Sequence, residues 1–204
     1  MKKGLLSLIG IIMIFMILSA CSNYKFKPDV NYPIEDFTMT DHRGDKITLE
    51  DLKGEPWLAM FIFTNCTTVC PPMTFNMTEI QSELVDRGVE DYKIVAFSVD
   101  PEFDSPEVLA KYLSLYPVPD DSKWHLLTGY DQKFIEQFAM NSFKTLVKKP
   151  DNGGEVTHMS TFHLVDETGT VVKNYSGYSE TEGGVPFDTI AIDIKTLIEE
   201  RLGK

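Results

Sequence analysis

Two cysteines four residues apart carry the first chemical signal in the chain. They lie in Phe61-Ile-Phe-Thr-Asn-Cys66-Thr-Thr-Val-Cys70-Pro-Pro-Met73. An apolar run precedes them and helical character follows, so both thiols belong at a strand-to-helix turn. At i, i+4 spacing they are expected on one side of the first helical turn. The positive end of a helix stabilises anions, so both thiols are expected to ionise readily. Such a pair can close a disulfide or hold a soft metal through two sulfurs. The bland alternative is two inert, buried cysteines.

Two thiolates alone favour Cu(I), and an added imidazole suits Cu(II). The chain has four histidines. His42, in Thr-Asp-His-Arg-Gly, reads as a solvated turn residue of an early hairpin. His125, inside Trp-His-Leu-Leu, reads as structural. His163 alternates with apolar neighbours in a late strand and is expected to pack there. His158 follows a polar loop, Pro150-Asp-Asn-Gly-Gly-Glu-Val-Thr157, just before that strand, where a ligand could swing onto the thiols. Met73 and Met77 share the helical side of Cys70, but methionines at helical spacing are more often core filler.

The elements that must position these residues can be read from apolar runs. Trp57 to Phe63 is continuous and apolar, fit for a strand buried on both faces. Pro71 to Arg87 is helical, and Lys93 to Val99 is a second buried strand. Pro106 opens a helix carrying Val108, Leu109, Tyr112, Leu113 and Tyr116. Trp124 to Thr128 is a short strand ending at Gly129, and Asp131 is placed to cap a helix with Phe134, Ile135 and Phe138. Thr161 to Val165 and Thr170 to Tyr175 flank Asp-Glu-Thr-Gly, a hairpin signal. A last helix runs from about Phe187 to Leu202. Strands alternating with helices, then a hairpin and a helix, describe an α/β fold around a mixed central sheet, with an N-terminal hairpin extension.

The chain has 204 residues and a formal charge of −12, which makes nucleic acid a poor partner. Three cysteines are too few for a disulfide scaffold. Lys2 and Lys3 precede an acid-free apolar run from Leu5 to Leu18, the pattern of a signal peptide over 1–20. Leu18-Ser19-Ala20-Cys21 resembles a bacterial lipobox, in which Cys21 carries the lipid and becomes the new N-terminus. An uncleaved transmembrane helix is the alternative. Residues 21–32 read as a lipidated N-terminus and polar tether, and 33–204 as the domain. Without residues 1–20 the charge is −14, a solvated acidic surface that can also steer a basic partner.

Together these residues resemble the Sco (SenC) family of copper-binding, thioredoxin-like proteins, from about Pro33 to Leu202. The resemblance rests on Cys66-Thr-Thr-Val-Cys70-Pro, on Ser98-Val-Asp-Pro101 with Asp104 and Pro106, and on Trp124-His-Leu-Leu-Thr-Gly129. His158, followed by Ser160-Thr-Phe-His-Leu-Val-Asp166, completes it. It implies one copper ion per chain, bound by Cys66, Cys70 and His158, with Asp100 near the metal. His163 is a departure, since relatives often have tyrosine there. The resemblance also implies assistance in building the dinuclear copper centre of cytochrome c oxidase subunit II, at the outer face of the bacterial cytoplasmic membrane. Copper delivery and reduction of the target's cysteines can coexist, and a further thiol-disulfide oxidoreductase is a candidate partner.

Other readings are a thiol-disulfide oxidoreductase, a peroxiredoxin-like thiol peroxidase, and a binding module whose thiol pair has no role. A thioredoxin-type reductase usually has Cys-x-x-Cys and a proline before the late strand. Here the spacer is three residues, and no proline lies between Pro150 and Pro186. A peroxidase needs a basic partner near the thiol. The only arginines are Arg43, Arg87 and Arg201, none in the late sheet region.

Overall fold

The computed structural model describes residues 25–150, 154, 156–180 and 184–204. The apolar leader and Cys21 lie outside the described residues. Among those described, eight strands form one mixed sheet in the order β1-β10-β9-β4-β5-β6-β2-β3. They are β1 (Tyr32–Pro33), β2 (Thr38–Asp41), β3 (Lys46–Thr48), β4 (Trp57–Ile62), β5 (Lys93–Ser98), β6 (Trp124–Thr128), β9 (Thr161–Val165) and β10 (Thr170–Ser176). A separate two-stranded ribbon pairs β7 (Val147–Lys148) with β8 (Thr157–His158). The helices are α1 (Leu49–Leu52), α2 (Cys70–Asp86), α3 (Pro106–Leu113), α4 (Gln132–Phe138) and α5 (Phe187–Leu202).

The centre of the sheet is its apolar, parallel part. Strands β4, β5 and β6 run parallel, from Trp57↔Lys93 to Ile62↔Ser98 and from Ile94↔Trp124 to Phe97↔Leu127. All six residues of β4 are buried. Each buried large apolar side chain contributes roughly 1.5–3 kcal/mol. The βαβ crossovers through α2 and α3 explain why these runs lack polar alternation. The β9–β10 hairpin closes on Asp166-Glu-Thr-Gly169, as its turn residues predict, and β9 pairs antiparallel with β4 through Ala59↔His163 and Trp57↔Val165. The early hairpin β2–β3 extends the other edge through β6.

Helix boundaries follow their capping residues. Asp131 accepts the Phe134 N–H at 2.7 Å, and Ser105 accepts the Val108 N–H at 3.3 Å ahead of Pro106. Helix α3 stops at Leu113, so Tyr116 lies beyond it, although its ring packs on Tyr112 at 5.1 Å. Helix α4 passes into a π-turn, Ala139–Phe143, which the apolar pattern does not reveal. That turn brings Phe143 onto Trp57, Phe61, Phe97 and His163. Gly129 ends β6 at φ +87°, and a Cβ there would meet Thr40 Oγ1 at 2.8 Å.

The segment expected as tether is described from Lys25, and there it lies against the domain. Phe26 is buried, Asp29 and Val30 donate their N–H groups to the Val172 carbonyl, and Tyr32–Pro33 pairs with β10. Among the described residues no helix is long and apolar enough to cross a membrane.

Candidate metal centre

Strand β4 delivers the chain to a loop, 63–69, at the mouth of the parallel sheet. Cys66 stands in this loop, its N–H bonded to the Phe63 carbonyl at 3.2 Å. Only Cys70 is helical; it is the first residue of α2, and Cys66 precedes the first turn. Pro71 and Pro72 are tolerated there because N–H groups in the first turn have no intrahelical acceptor, and proline has no N–H to leave unpaired. Val69 offers no side-chain cap. The Cys66 sulfur does so instead, accepting the Cys70 N–H at 3.4 Å, with Thr68 Oγ1 at 3.6 Å.

This geometry separates the two thiols, contrary to the expectation that both ionise readily. Burial alone would raise the Cys66 thiol, but the hydrogen bonds from Cys70 and Thr68 outweigh it and hold the thiol below its ordinary value. Burial pushes the Cys70 thiol far up; the neighbouring Cys66 raises it further, and only a hydrogen bond from Phe63 opposes. The Cys66 anion is held by N–H and O–H donors ahead of the first turn, whereas at Cys70 burial outweighs the helix end. Both cysteines are free thiols.

The ribbon brings the imidazole. His158 pairs with Val147 across β7–β8, and its Nε2 lies 3.2 Å from Cys70 Sγ. Its Nδ1 lies 3.1 Å from the Met159 carbonyl, which can only accept. The hydrogen-bond network therefore assigns the proton to Nδ1 and turns the Nε2 lone pair to the sulfur. Burial lowers the His158 pKa and keeps the ring neutral, the form that binds metals. Phe63 packs edge-on against this ring at 5.8 Å.

Two sulfurs and one imidazole nitrogen, with the other ring nitrogen tied to a carbonyl, form a donor set suited to copper. No group of three or more His, Cys, Asp or Glu side chains among the described residues is closed around a cation position. Cys70 and His158 bond to each other instead, so taking up an ion would replace that contact.

The other candidates are placed elsewhere. His163 is buried among Phe61 and Phe143, with Nδ1 on Asn174 Oδ1 at 2.7 Å, as its packing role requires. His125 bonds Asp41 Oδ2 at 3.2 Å and is structural. His42 is not solvated: it is buried, and its Nδ1 accepts the Leu126 N–H at 3.2 Å, holding the turn against β6. Met73 and Met77 are fully buried in the core. Asp100 pairs with Lys149 at 2.7 Å. Each arginine has other partners: Arg43 at Trp124 and Asp121, Arg87 at Glu83 and Asp188, Arg201 at Asp166 and Glu167.

One supporting residue goes unassigned by motif reading alone. Asp104 is fully buried and accepts from Ser98 Oγ at 2.6 Å and Thr64 Oγ1 at 2.5 Å, two residues before Cys66. Asp104 stands in Asp100-Pro-Glu-Phe-Asp104 beyond a buried strand, among the residues that carry the resemblance, but the motif gives it no role.

A mixed α/β sheet with two thiols and one imidazole at the end of its central parallel strands defines a thioredoxin-like protein equipped for soft-metal or thiol chemistry. The SCO1/SenC family model matches residues 27–195, and the chain belongs to that family. It is 47% identical over 184 residues to the SCO1 protein homolog of Bacillus subtilis, covering 90% of this chain and 92% of that one. A SCO1/SenC family lipoprotein from Bacillus anthracis is 41% identical with a TM-score of 0.79, covering 86% of this chain and 100% of the other. BsSco, described as having a disulfide switch and belonging to the Sco family of cytochrome c oxidase assembly proteins, is 46% identical with a TM-score of 0.75, covering 85% and 98%. ScoI from Bradyrhizobium japonicum with copper bound is 27% identical with a TM-score of 0.64, covering 80% and 98%.

Proposed function

We propose that this protein binds one copper ion through Cys66, Cys70 and His158. It assists assembly of the dinuclear copper centre of cytochrome c oxidase subunit II. The observation that carries this reading is the approach of His158 Nε2 to Cys70 Sγ at 3.2 Å, with Nδ1 committed to the Met159 carbonyl. Copper is the cargo, and its binding requires both thiols to lose their protons. On metal uptake Cys66 gives up its proton first, and Cys70 gives up its own to solvent as the ion replaces the His158 contact. The Bradyrhizobium relative with copper bound and the family of BsSco support this reading.

The opposed thiol shifts favour a coexisting role in thiol-disulfide exchange. The Cys66 thiolate attacks one sulfur of a target disulfide, forms a mixed disulfide and releases the other target sulfur as a thiolate. Cys70, once deprotonated, displaces the second target sulfur and closes a Cys66–Cys70 disulfide. Two electrons pass to the target, whose sulfurs take up two protons. A separate thiol-disulfide oxidoreductase would restore the reduced pair. The disulfide form has no thiolates, so oxidation and metal uptake exclude each other.

A lipid on Cys21, with a second acyl chain on its amino group, would hold the site at the outer face of the bacterial cytoplasmic membrane. Anaerobic copper titration of the reduced protein, read by optical and EPR spectra, tests the proposal. One equivalent should bind, with a sulfur-to-Cu(II) charge-transfer band. Cys66→Ser, Cys70→Ser and His158→Ala should abolish or greatly weaken the band, and His125→Ala should leave it. Loss of the band in His163→Ala with retention in His158→Ala would overturn the ligand assignment. Deletion of the gene should lower cytochrome c oxidase activity, with partial rescue by added copper. Normal oxidase with raised peroxide sensitivity would favour the peroxidase reading instead.

A further inference from the structure

We propose that Lys149 positions the metal-site imidazole by clipping the β7–β8 ribbon, which carries His158, to Asp100 and Glu102 beyond the end of β5. The inference rests on the ligand set proposed above and adds the device that holds its third member in place. The ribbon is short: its ladder consists of Val147↔His158 and Lys148↔Thr157. A two-residue ladder cannot fix the ribbon by backbone pairing alone, since isolated hairpins are marginal even when longer. External ties must therefore hold it.

Those ties converge on the residue just past β7. Lys149 Nζ donates to Asp100 Oδ1 at 2.7 Å and to Glu102 Oε2 at 2.8 Å, and its backbone N–H donates to Glu136 Oε1 at 2.9 Å. Lys148 Nζ reaches Glu136 Oε2 at 3.1 Å. The Asp100 carboxylate is 16% exposed and Lys149 25%, whereas Glu102 is 71% exposed. Water screens the Glu102 contact, and the Asp100 contact is the stronger tie.

The loop after β5 then serves both halves of the ligand set. Ser98 Oγ and Asp104 anchor Thr64, which leads to Cys66, while Asp100 anchors Lys149, which leads across the ribbon to His158. The Asp104 N–H donates to the Asp100 carbonyl at 3.0 Å, and the Asp100 N–H donates to Ser98 Oγ at 3.2 Å. One hydrogen-bonded loop therefore sets the distance between the thiol-bearing turn and the imidazole-bearing ribbon. Asp100 acts through Lys149, as a positioning residue.

The test uses the full chain in detergent, reduced and metal-free, as wild type, Lys149→Gln, Lys149→Arg, Asp100→Asn and Glu102→Gln. Amide hydrogen exchange at the ladder-bonded N–H groups of β7 and β8 should accelerate roughly threefold to tenfold in Lys149→Gln and Asp100→Asn, the scale of one partly exposed, hydrogen-bonded ion pair. Exchange in β4 and β5 should not change, Lys149→Arg should restore most of the protection, and Glu102→Gln should shift it less than twofold. Unchanged ribbon exchange in both Lys149→Gln and Asp100→Asn would overturn the proposal. So would acceleration spread equally over the core strands, because the lysine would then support the whole fold. Cu(I) competition on the same variants separates the two readings. A wild type that takes no copper removes the proposed function, while the exchange result still decides the clip.

Discussion

Acid should destabilise this protein through its buried histidines, and His163 isolates the effect. Its ring lies 5.1 Å from that of Phe143 and 6.1 Å from that of Phe61; Nδ1–H donates to Asn174, and Nε2 is buried without a partner among the described residues. A proton added to Nε2 would meet no acceptor. Desolvation, only partly opposed by Asn174, lowers the pKa from 6.5 to about 4. Between those values the folded state binds fewer protons than the unfolded state. Stability is therefore full above pH 6.5 and falls as the pH drops toward 4. At about 1.4 kcal/mol per pKa unit the whole window corresponds to roughly 3.5 kcal/mol. Urea unfolding followed by far-ultraviolet circular dichroism, from pH 7.5 to 4.5, would measure it in wild type and His163→Phe. The phenyl ring keeps an aromatic group among aromatics and cannot titrate. It will lose stability at pH 7.5, where Asn174 is left without its partner. As the pH falls to 4.5, the variant should gain about 2–3 kcal/mol relative to wild type. A difference between the two proteins that stays constant with pH would show that burial does not hold this imidazole neutral.

The thiols should be distinguishable by alkylation: iodoacetamide at neutral pH should modify Cys66 well before Cys70, as mapped by peptide mass spectrometry, and equal rates would contradict the opposed shifts. Asp104→Ala should cost about 3 kcal/mol by leaving the Thr64 and Ser98 donors buried and unpaired, while Asp104→Asn, which keeps one acceptor, should cost less. Because burial raises the Asp104 pKa, wild type should lose some stability as pH rises through its folded-state value, and Asp104→Asn should lack that loss. His42→Ala should lower the unfolding free energy by about 1–2 kcal/mol, since it orphans the Leu126 N–H; a change within experimental error would restore the solvated-turn view.

Apolar runs made the sheet legible because burial on both faces leaves an unbroken signature. The strands Trp124–Thr128 and Thr161–Val165 fall where their residues place them, and β4 ends one residue before the expected Phe63. What the runs cannot encode is which strand lies beside which, since pairing is chosen by packing over long separations. The attachment of Tyr32–Pro33 to β10 is such a case: two residues joined to an edge that only the folded hairpin provides. His42 misled for a related reason. Asp-His-Arg-Gly is good turn chemistry, but the acceptor its ring offers is used by a backbone donor 84 positions away.

The metal centre divides along the same line. The cysteine spacing is local, so the residues are recognisable, but i, i+4 spacing implies a shared helical face only if both residues are helical. Here Cys66 stops short and caps the helix with its sulfur. That one-turn difference reverses the expected chemistry of the pair, because an acceptor ahead of the first turn receives N–H bonds while a thiol within it receives burial. Cys70 is consequently the member that needs His158. Its sulfur has little help from the helix in carrying charge, and the neutral Nε2 beside it is placed to accept its S–H hydrogen bond or to share an incoming ion. The histidine must then arrive from outside the helix on a segment held at a fixed distance. The ribbon and its Lys149 tie to the loop after β5 supply that distance, in a stretch too short to show any periodicity at all.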